Sequence, residues 1–124
     1  MGTFKGCGSL LYADLSNWTL SKVTDVSYMF DGCERVSTII LPKGLRPRFA
    51  EDMFNNCKAL TQVNIKDIDF SQCIDMARAF ANCDGLTVIP SLDTRICSSL
   101  DSIFDGSDNI VRVEGIDMKN ITNN

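Results

Sequence analysis

Cysteine is the residue type with the most chemical potential in this chain, which has six cysteines and no histidine in 124 residues. A cysteine nucleophile needs a base such as histidine, and a structural zinc site needs several clustered thiolates. The cysteines are instead spread along the chain without any Cys-x-x-Cys pair, at Cys7, Cys33, Cys57, Cys73, Cys83 and Cys97. We therefore predict no catalytic residues, no metal site and no cofactor, and we expect the protein not to be an enzyme.

Four of these cysteines belong to a repeat, because each follows one of a series of regularly spaced phenylalanines by three residues. The repeated phenylalanines are 24 or 26 residues apart and stand at Phe4, Phe30, Phe54, Phe80 and Phe104. We number each repeat from its phenylalanine, so the cysteines occupy position +3. A cysteine that recurs at one repeat position is most simply a small buried apolar residue. We predict buried free thiols, although stacked repeats could also bring equivalent cysteines within disulfide distance.

Each repeat shows an apolar pattern followed by a turn signal. Positions −4, −1 and 0 are apolar, as at Val26, Met29 and Phe30, and this i, i+3, i+4 spacing predicts a short helix. Position +2 holds only glycine or asparagine, the residues that end helices in a left-handed conformation. Apolar residues two apart then predict short strands near 12–15, 38–41, 62–65, 87–89 and 111–114.

These elements predict an α/β fold. A period of this size lies in the roughly 20–29 residue range of leucine-rich repeats. We expect a right-handed leucine-rich-repeat solenoid of about five coils, each with a short helix, a tight turn and a short parallel strand. Residues 1–124 would form a single domain, which could be a segment of a longer repeat array.

Composition excludes several classes of partner and location. The net charge is −4 and the basic residues are scattered, so we expect no nucleic-acid binding. No apolar run approaches the roughly 18 residues of a membrane span. The N-terminal segment lacks the apolar stretch of a signal peptide, so we expect none there.

The outward face of the predicted strands is the candidate binding surface. Side chains alternate along a strand, so positions +8 and +10 should form two parallel rows that face solvent. Repeat proteins hold partners on such extended faces. The predicted partner-binding residues are Tyr12, Asp14, Thr38, Ile40, Gln62, Asn64, Val88, Arg112 and Glu114.

Several motifs resemble the BspA-like leucine-rich repeats of bacterial surface proteins. The segment from Asp14 to Cys33 contains Asp-Leu-Ser-Asn-Trp, Val-Thr-Asp-Val and Met-Phe-x-x-Cys, and 69–83 is similar to it. The resemblance implies a non-enzymatic surface module for adhesion or protein binding, at the cell surface or secreted. The alternative is a structural component of a larger assembly, of virion or surface-layer type, joined through coil ends and edges. In that case the partners would be neighbouring subunits or further copies associated end to end.

Overall fold

Short parallel strands recur once in each repeat. The computed structural model describes residues 2–90 and 92–114. One sheet contains β1 (Tyr12–Asp14), β2 (Thr38–Ile40) and β3 (Gln62–Val63), and a second contains β4 (Val88–Ile89) and β5 (Arg112–Val113). Each strand lies inside an interval predicted from the sequence. The single sheet that we expected is divided between β3 and β4.

The predicted helices are wrong, and with them the α/β solenoid of about five helical leucine-rich-repeat coils. In residues 2–90 and 92–114, the one helical segment is a short 3-10 helix at Ile65–Asp67. Where we expected α-helices, the chain forms runs of tight turns at 27–32, 51–56, 77–82 and 101–106. The chain is therefore built from strands and turns.

Backbone conformation explains why no helix forms. Tyr28 and Gly32 have φ values of 61° and 80°, and this left-handed conformation recurs at positions −2 and +2 of the later repeats. A left-handed residue every fourth position interrupts a right-handed helix. Met29 and Cys33 donate their N–H groups to carbonyls three residues earlier, as in β-turns. Consecutive β-turns bring residues i and i+3 together, so a chain of such turns produces the same apolar spacing in the sequence as a helix does.

The remaining N–H groups of each turn segment bond to the next repeat. The N–H groups of Tyr28, Phe30 and Gly32 donate to carbonyl oxygens of residues 51, 53 and 55, at 2.8, 2.9 and 2.9 Å. The same ladder joins the turn segments of all the described repeats. A helix uses its N–H groups within itself, whereas this arrangement divides them between turn closure and the neighbouring repeat. The ladder therefore satisfies the buried backbone without helix formation.

Phenylalanine side chains stack through the centre of the molecule. Phe30, Phe54 and Phe80 are completely buried, and Phe4 and Phe104 are partly buried at the two ends. Successive ring centroids are 5.2, 5.9, 5.5 and 6.0 Å apart, and the interplanar angles are 24° or less. The phenylalanine of each repeat therefore lies on that of the next. Because the rings meet face over face, equivalent positions of neighbouring repeats lie side by side elsewhere too.

Candidate binding surface

The structure places the predicted binding residues in aligned rows. Tyr12 pairs with Thr38, Thr38 pairs with Gln62, and Val88 pairs with Arg112. Asp14 and Ile40, at position +10, are also in register. The residues between the rows on β1 and β2 are buried, so the two sets of side chains point in opposite directions. On β1 and β2 the side chains alternate as expected, whereas Asn64 and Glu114 lie beyond the ends of β3 and β5, and within the described residues no strand pairing joins Gln62 to Val88. The role of these residues in binding stays a prediction.

An open depression lies in the middle of this surface, across β2, β3 and β4. Its volume is about 450 Å³, within the range of small-molecule sites. The rim and floor combine aliphatic side chains with two amides and two hydroxyl groups, namely Thr38, Ile40, Thr61, Gln62, Asn64, Val88 and Pro90. The depression bridges the boundary between the two sheets. A mixed lining of this kind suits an extended polypeptide better than a charged ligand, because the lining contains no ionised side chain.

Asn64 belongs to the depression, but its side chain already bonds to the neighbouring repeat. Its Oδ1 accepts from the Leu41 N–H at 2.7 Å, and its Nδ2 donates to the Leu41 carbonyl at 2.8 Å. Nδ2 also lies 3.0 Å from Asp67. The side-chain amide continues the pairing of β2 where the backbone after β3 turns into the 3-10 helix. We therefore assign Asn64 chiefly to the structure of the surface.

The charged residues of the predicted surface lie at its two ends, outside the depression. Asp14 accepts a hydrogen bond from the Ser16 N–H at 2.9 Å, and hydrogen bonding to Ser16 holds the pKa of Asp14 below its ordinary value. Arg112 and Glu114 form an exposed ion pair with an N–O distance of 3.4 Å. Tyr12 remains 54% exposed at the β1 end. The central part, around Gln62 and Val88, is the more promising site of contact.

Sequence reasoning missed a polar network on the turn segments. Arg78 binds Asp52 through Nε and Nη2 at 2.8 and 3.3 Å, and its Nη2 lies 3.5 Å from Glu51. Tyr28 donates its hydroxyl hydrogen to Glu51, which raises the pKa of Tyr28 to about 12. The available sequence signal was opposite charge at repeat position −2, in Asp52 and Arg78. Because these groups are bonded to one another, the network joins repeats and offers little to a ligand.

The cysteines contribute a second structural row. The Sγ atoms of Cys33, Cys57 and Cys83 donate to phenylalanine carbonyls of the preceding repeat at 3.0, 3.2 and 3.1 Å. Ser107 Oγ makes the equivalent bond at 2.5 Å. All six cysteines are free, and all except Cys7 are buried. The prediction of buried free thiols is therefore confirmed for five cysteines, whereas Cys7 is free but exposed.

Burial makes the cysteines at position +3 of the inner repeats poorly reactive. Desolvation raises the pKa of Cys33 to about 11 and that of Cys83 to about 12, and it also raises the pKa of Cys57. A thiol becomes nucleophilic only as the thiolate. These side chains are thus suited to packing and hydrogen bonding, and not to attack on a substrate.

Within residues 2–90 and 92–114, no three His, Cys, Asp or Glu side chains gather in an arrangement that could hold a metal ion. The same part of the chain contains no helix of the length and apolarity needed to cross a membrane. The outward strand surface remains the strongest candidate for a functional site.

Comparison with known proteins identifies a family without an assigned activity. A family model described as "Mycoplasma protein of unknown function, DUF285" matches residues 1–111. No curated protein and no solved structure matches the chain significantly. Since the matched region covers most of the sequence, the protein belongs to the DUF285 family.

Proposed function

We propose that the protein is a non-enzymatic protein-binding or adhesion module that presents a rigid repeat surface. The observation that carries the proposal is the depression of about 450 Å³ across β2, β3 and β4, where side chains of several repeats converge. An extended segment of a partner protein is the proposed occupant. Apolar contacts would come from Ile40 and Val88, and the Gln62 amide would bond to the partner's backbone.

Rigidity of the surface supports this role. Each junction between repeats carries a ladder of backbone hydrogen bonds in addition to the stacked phenylalanines. A surface held in this way loses little conformational freedom when a partner binds. The resemblance of 14–33 to the repeats of BspA-like surface proteins favours the same role, because the resemblance lies in the motif and does not require helices.

The proposal is tested by selecting displayed peptides on the immobilised chain and measuring their affinities for variants. Gln62→Ala and Tyr12→Ala remove exposed side chains from the surface. Gln72→Ala is the matched control, because Gln72 is also exposed but does not line the depression. We expect Gln62→Ala to weaken binding about tenfold, which corresponds to about 1.4 kcal/mol, and Gln72→Ala to leave it unchanged.

Peptides that bind Gln62→Ala and Tyr12→Ala as tightly as the original chain would contradict the proposal. Failure to select any peptide from a library of extended sequences would count against it as well. Circular dichroism of each variant checks that the change in affinity does not come from unfolding.

A further inference from the structure

The first and last described repeats offer complementary backbone groups. At each internal junction, N–H groups of one repeat donate to carbonyls of the next, as Phe80 does to Ile103 at 2.9 Å. Within residues 2–90 and 92–114, the N–H groups of Phe104 and Gly106 have no such acceptor. In the same ranges, the carbonyls of residues 3 and 5 receive no such donor. Among the described residues, the last repeat therefore presents donors and the first presents acceptors, at matching repeat positions.

Apolar side chains mark the same position at both ends. Position +7 carries a hydroxyl residue in the three inner repeats, at Ser37, Thr61 and Thr87. The first and last repeats instead have Leu11 and Val111 there, which are 57% and 82% exposed. Equivalent positions of adjacent repeats lie side by side, and position +7 stays exposed in the inner repeats, so a repeat placed after the last one would set its own residue at +7 beside Val111. Leu11 of another copy fits that place.

Charges at position +1 are also complementary. Lys5 occupies this position in the first repeat and Asp105 in the last, and both are exposed. Side chains at +1 interact across an existing junction: burial raises the pKa of Asp31, and the nearby charge of Lys5 partly offsets this. Asp14 and Glu114 would meet as like charges at position +10, but Arg112 already pairs with Glu114.

A depression of about 500 Å³ lies on the last repeat. It is lined by Phe104, Gly106, Ser107, Ile110 and Val113 among others. Inside the stack, the equivalent surface of each repeat is covered by the following repeat. The last described repeat thus has the shape and the hydrogen-bond donors needed to receive one more repeat.

We propose that a second copy of this chain occupies this end, so that its first repeat stacks on the last repeat in the register of the internal junctions. Phe4 of the second copy would cover Phe104, and Leu11 would lie beside Val111. The contact joins two different surfaces, so copies associate head to tail, and such contacts build open chains unless the rotation closes a ring. The inference concerns the ends of the stack and is independent of binding on the outward strand surface.

A charge exchange tests the proposed register. Lys5→Asp and Asp105→Lys each place like charges at the junction, while the double variant restores an opposite pair. We expect the weight-average mass of the original chain to rise from micromolar to millimolar concentration in sedimentation equilibrium. Each single variant should reduce this association at low salt, and the double variant should recover it. Lys66→Asp is the matched control, because Lys66 is an exposed lysine away from the two end repeats.

A disulfide provides a second, covalent test. Ser107→Cys places at the last repeat the residue that earlier repeats already have at position +3. Position +3 follows the turn segments, which are hydrogen-bonded from repeat to repeat. Hydrogen-bonded neighbouring segments lie roughly 4.8 Å apart, which is within the range of disulfide Cα separations. Mild oxidation should link Cys7 of one copy to residue 107 of another, giving a ladder of covalent oligomers. Adding Cys7→Ser should abolish the ladder, since the other five cysteines are buried.

Three results would overturn the inference. A mass that stays monomeric over the whole concentration range would exclude a second copy at this end. A double charge variant that associates no better than the single variants would exclude the register. Association that begins only after residues 115–124 are removed would show that those residues, and not a second copy, cover the last repeat. Unchanged peptide binding in the charge variants would keep these outcomes separate from the proposed function.

Discussion

Truncation of the central phenylalanine should destabilise the protein far more than truncation of the last one. Phe54 is completely buried, and its ring lies between those of Phe30 and Phe80, with centroid distances of 5.9 and 5.5 Å. Phe54→Ala removes both ring contacts and leaves a cavity that the surrounding backbone ladder cannot close. Phe104 is partly buried and stacks on Phe80 alone among the described rings.

The expected magnitude follows from burial. A buried Phe→Ala change costs about 3–5 kcal/mol, and we expect Phe54→Ala to lie in this range. Phe104→Ala removes one ring contact from a partly exposed site, so we expect about half that loss. A chain of this length has a total stability of about 6–19 kcal/mol. The Phe54 variant should therefore still fold, with a much lower unfolding midpoint.

Urea unfolding followed by circular dichroism measures the difference. With a denaturant dependence of about 2 kcal/mol per molar urea, Phe54→Ala should lower the midpoint by about 2 M and Phe104→Ala by about 1 M. The protein should be dilute, because association through the end repeats would stabilise the original chain and exaggerate the loss measured for Phe104→Ala. Equal losses at the two positions would refute the reasoning, because they would show that stacking on both faces does not determine the cost.

Two further substitutions test the packing between repeats. Cys57→Ser should lower the free energy of unfolding by less than about 1.5 kcal/mol, because Ser107 already makes the equivalent hydrogen bond with a hydroxyl. Cys57→Val should lower it by more, because a valine leaves the Phe30 carbonyl with one donor fewer. Urea unfolding midpoints compare the two variants. Gly85→Ala should lower the melting temperature by several degrees, since an added Cβ would lie 2.6 Å from the Leu60 carbonyl oxygen. Gly8→Ala, with no atom within 4 Å of its added Cβ, is the control and should change it little.

The opposite rankings would contradict these expectations. If Cys57→Val is as stable as Cys57→Ser, the thiol acts only as a space-filling group and its bond to the phenylalanine carbonyl is unimportant. If Gly85→Ala and Gly8→Ala have the same melting temperature, the backbone of the neighbouring repeat can move away from the added methyl group.

Much of the repeat could be predicted because it depends on spacing. The positions of the strands, the stacking of phenylalanines and the left-handed residues at Gly32 and Asn56 follow from regular recurrence in the sequence. The helices were predicted wrongly because an apolar spacing of three and four residues does not distinguish a helix from consecutive turns. The sequence did not indicate the left-handed conformation of Tyr28, since tyrosine has no preference for this conformation.

The outward rows could be predicted for a similar reason, whereas their contents could not. Alternation along a strand places Tyr12, Thr38 and Gln62 on one face whatever the rest of the fold does. The sequence did not indicate that Asn64 would bond to the Leu41 backbone. It also did not indicate that Arg78 would reach Asp52. The Asn64 and Arg78 contacts both depend on the distance between neighbouring repeats, which the sequence does not specify.

By itself, the sequence determined the period of this protein, the buried positions and the parallel register, because a residue type that recurs at fixed spacing must meet its equivalent when repeats stack. Tertiary structure decided whether each N–H group bonds within its own repeat or to a neighbour. That choice depends on the distance between repeats, which the stacked rings set. Once the repeats lie this close, sharing hydrogen bonds between them satisfies the backbone, and turns replace helices.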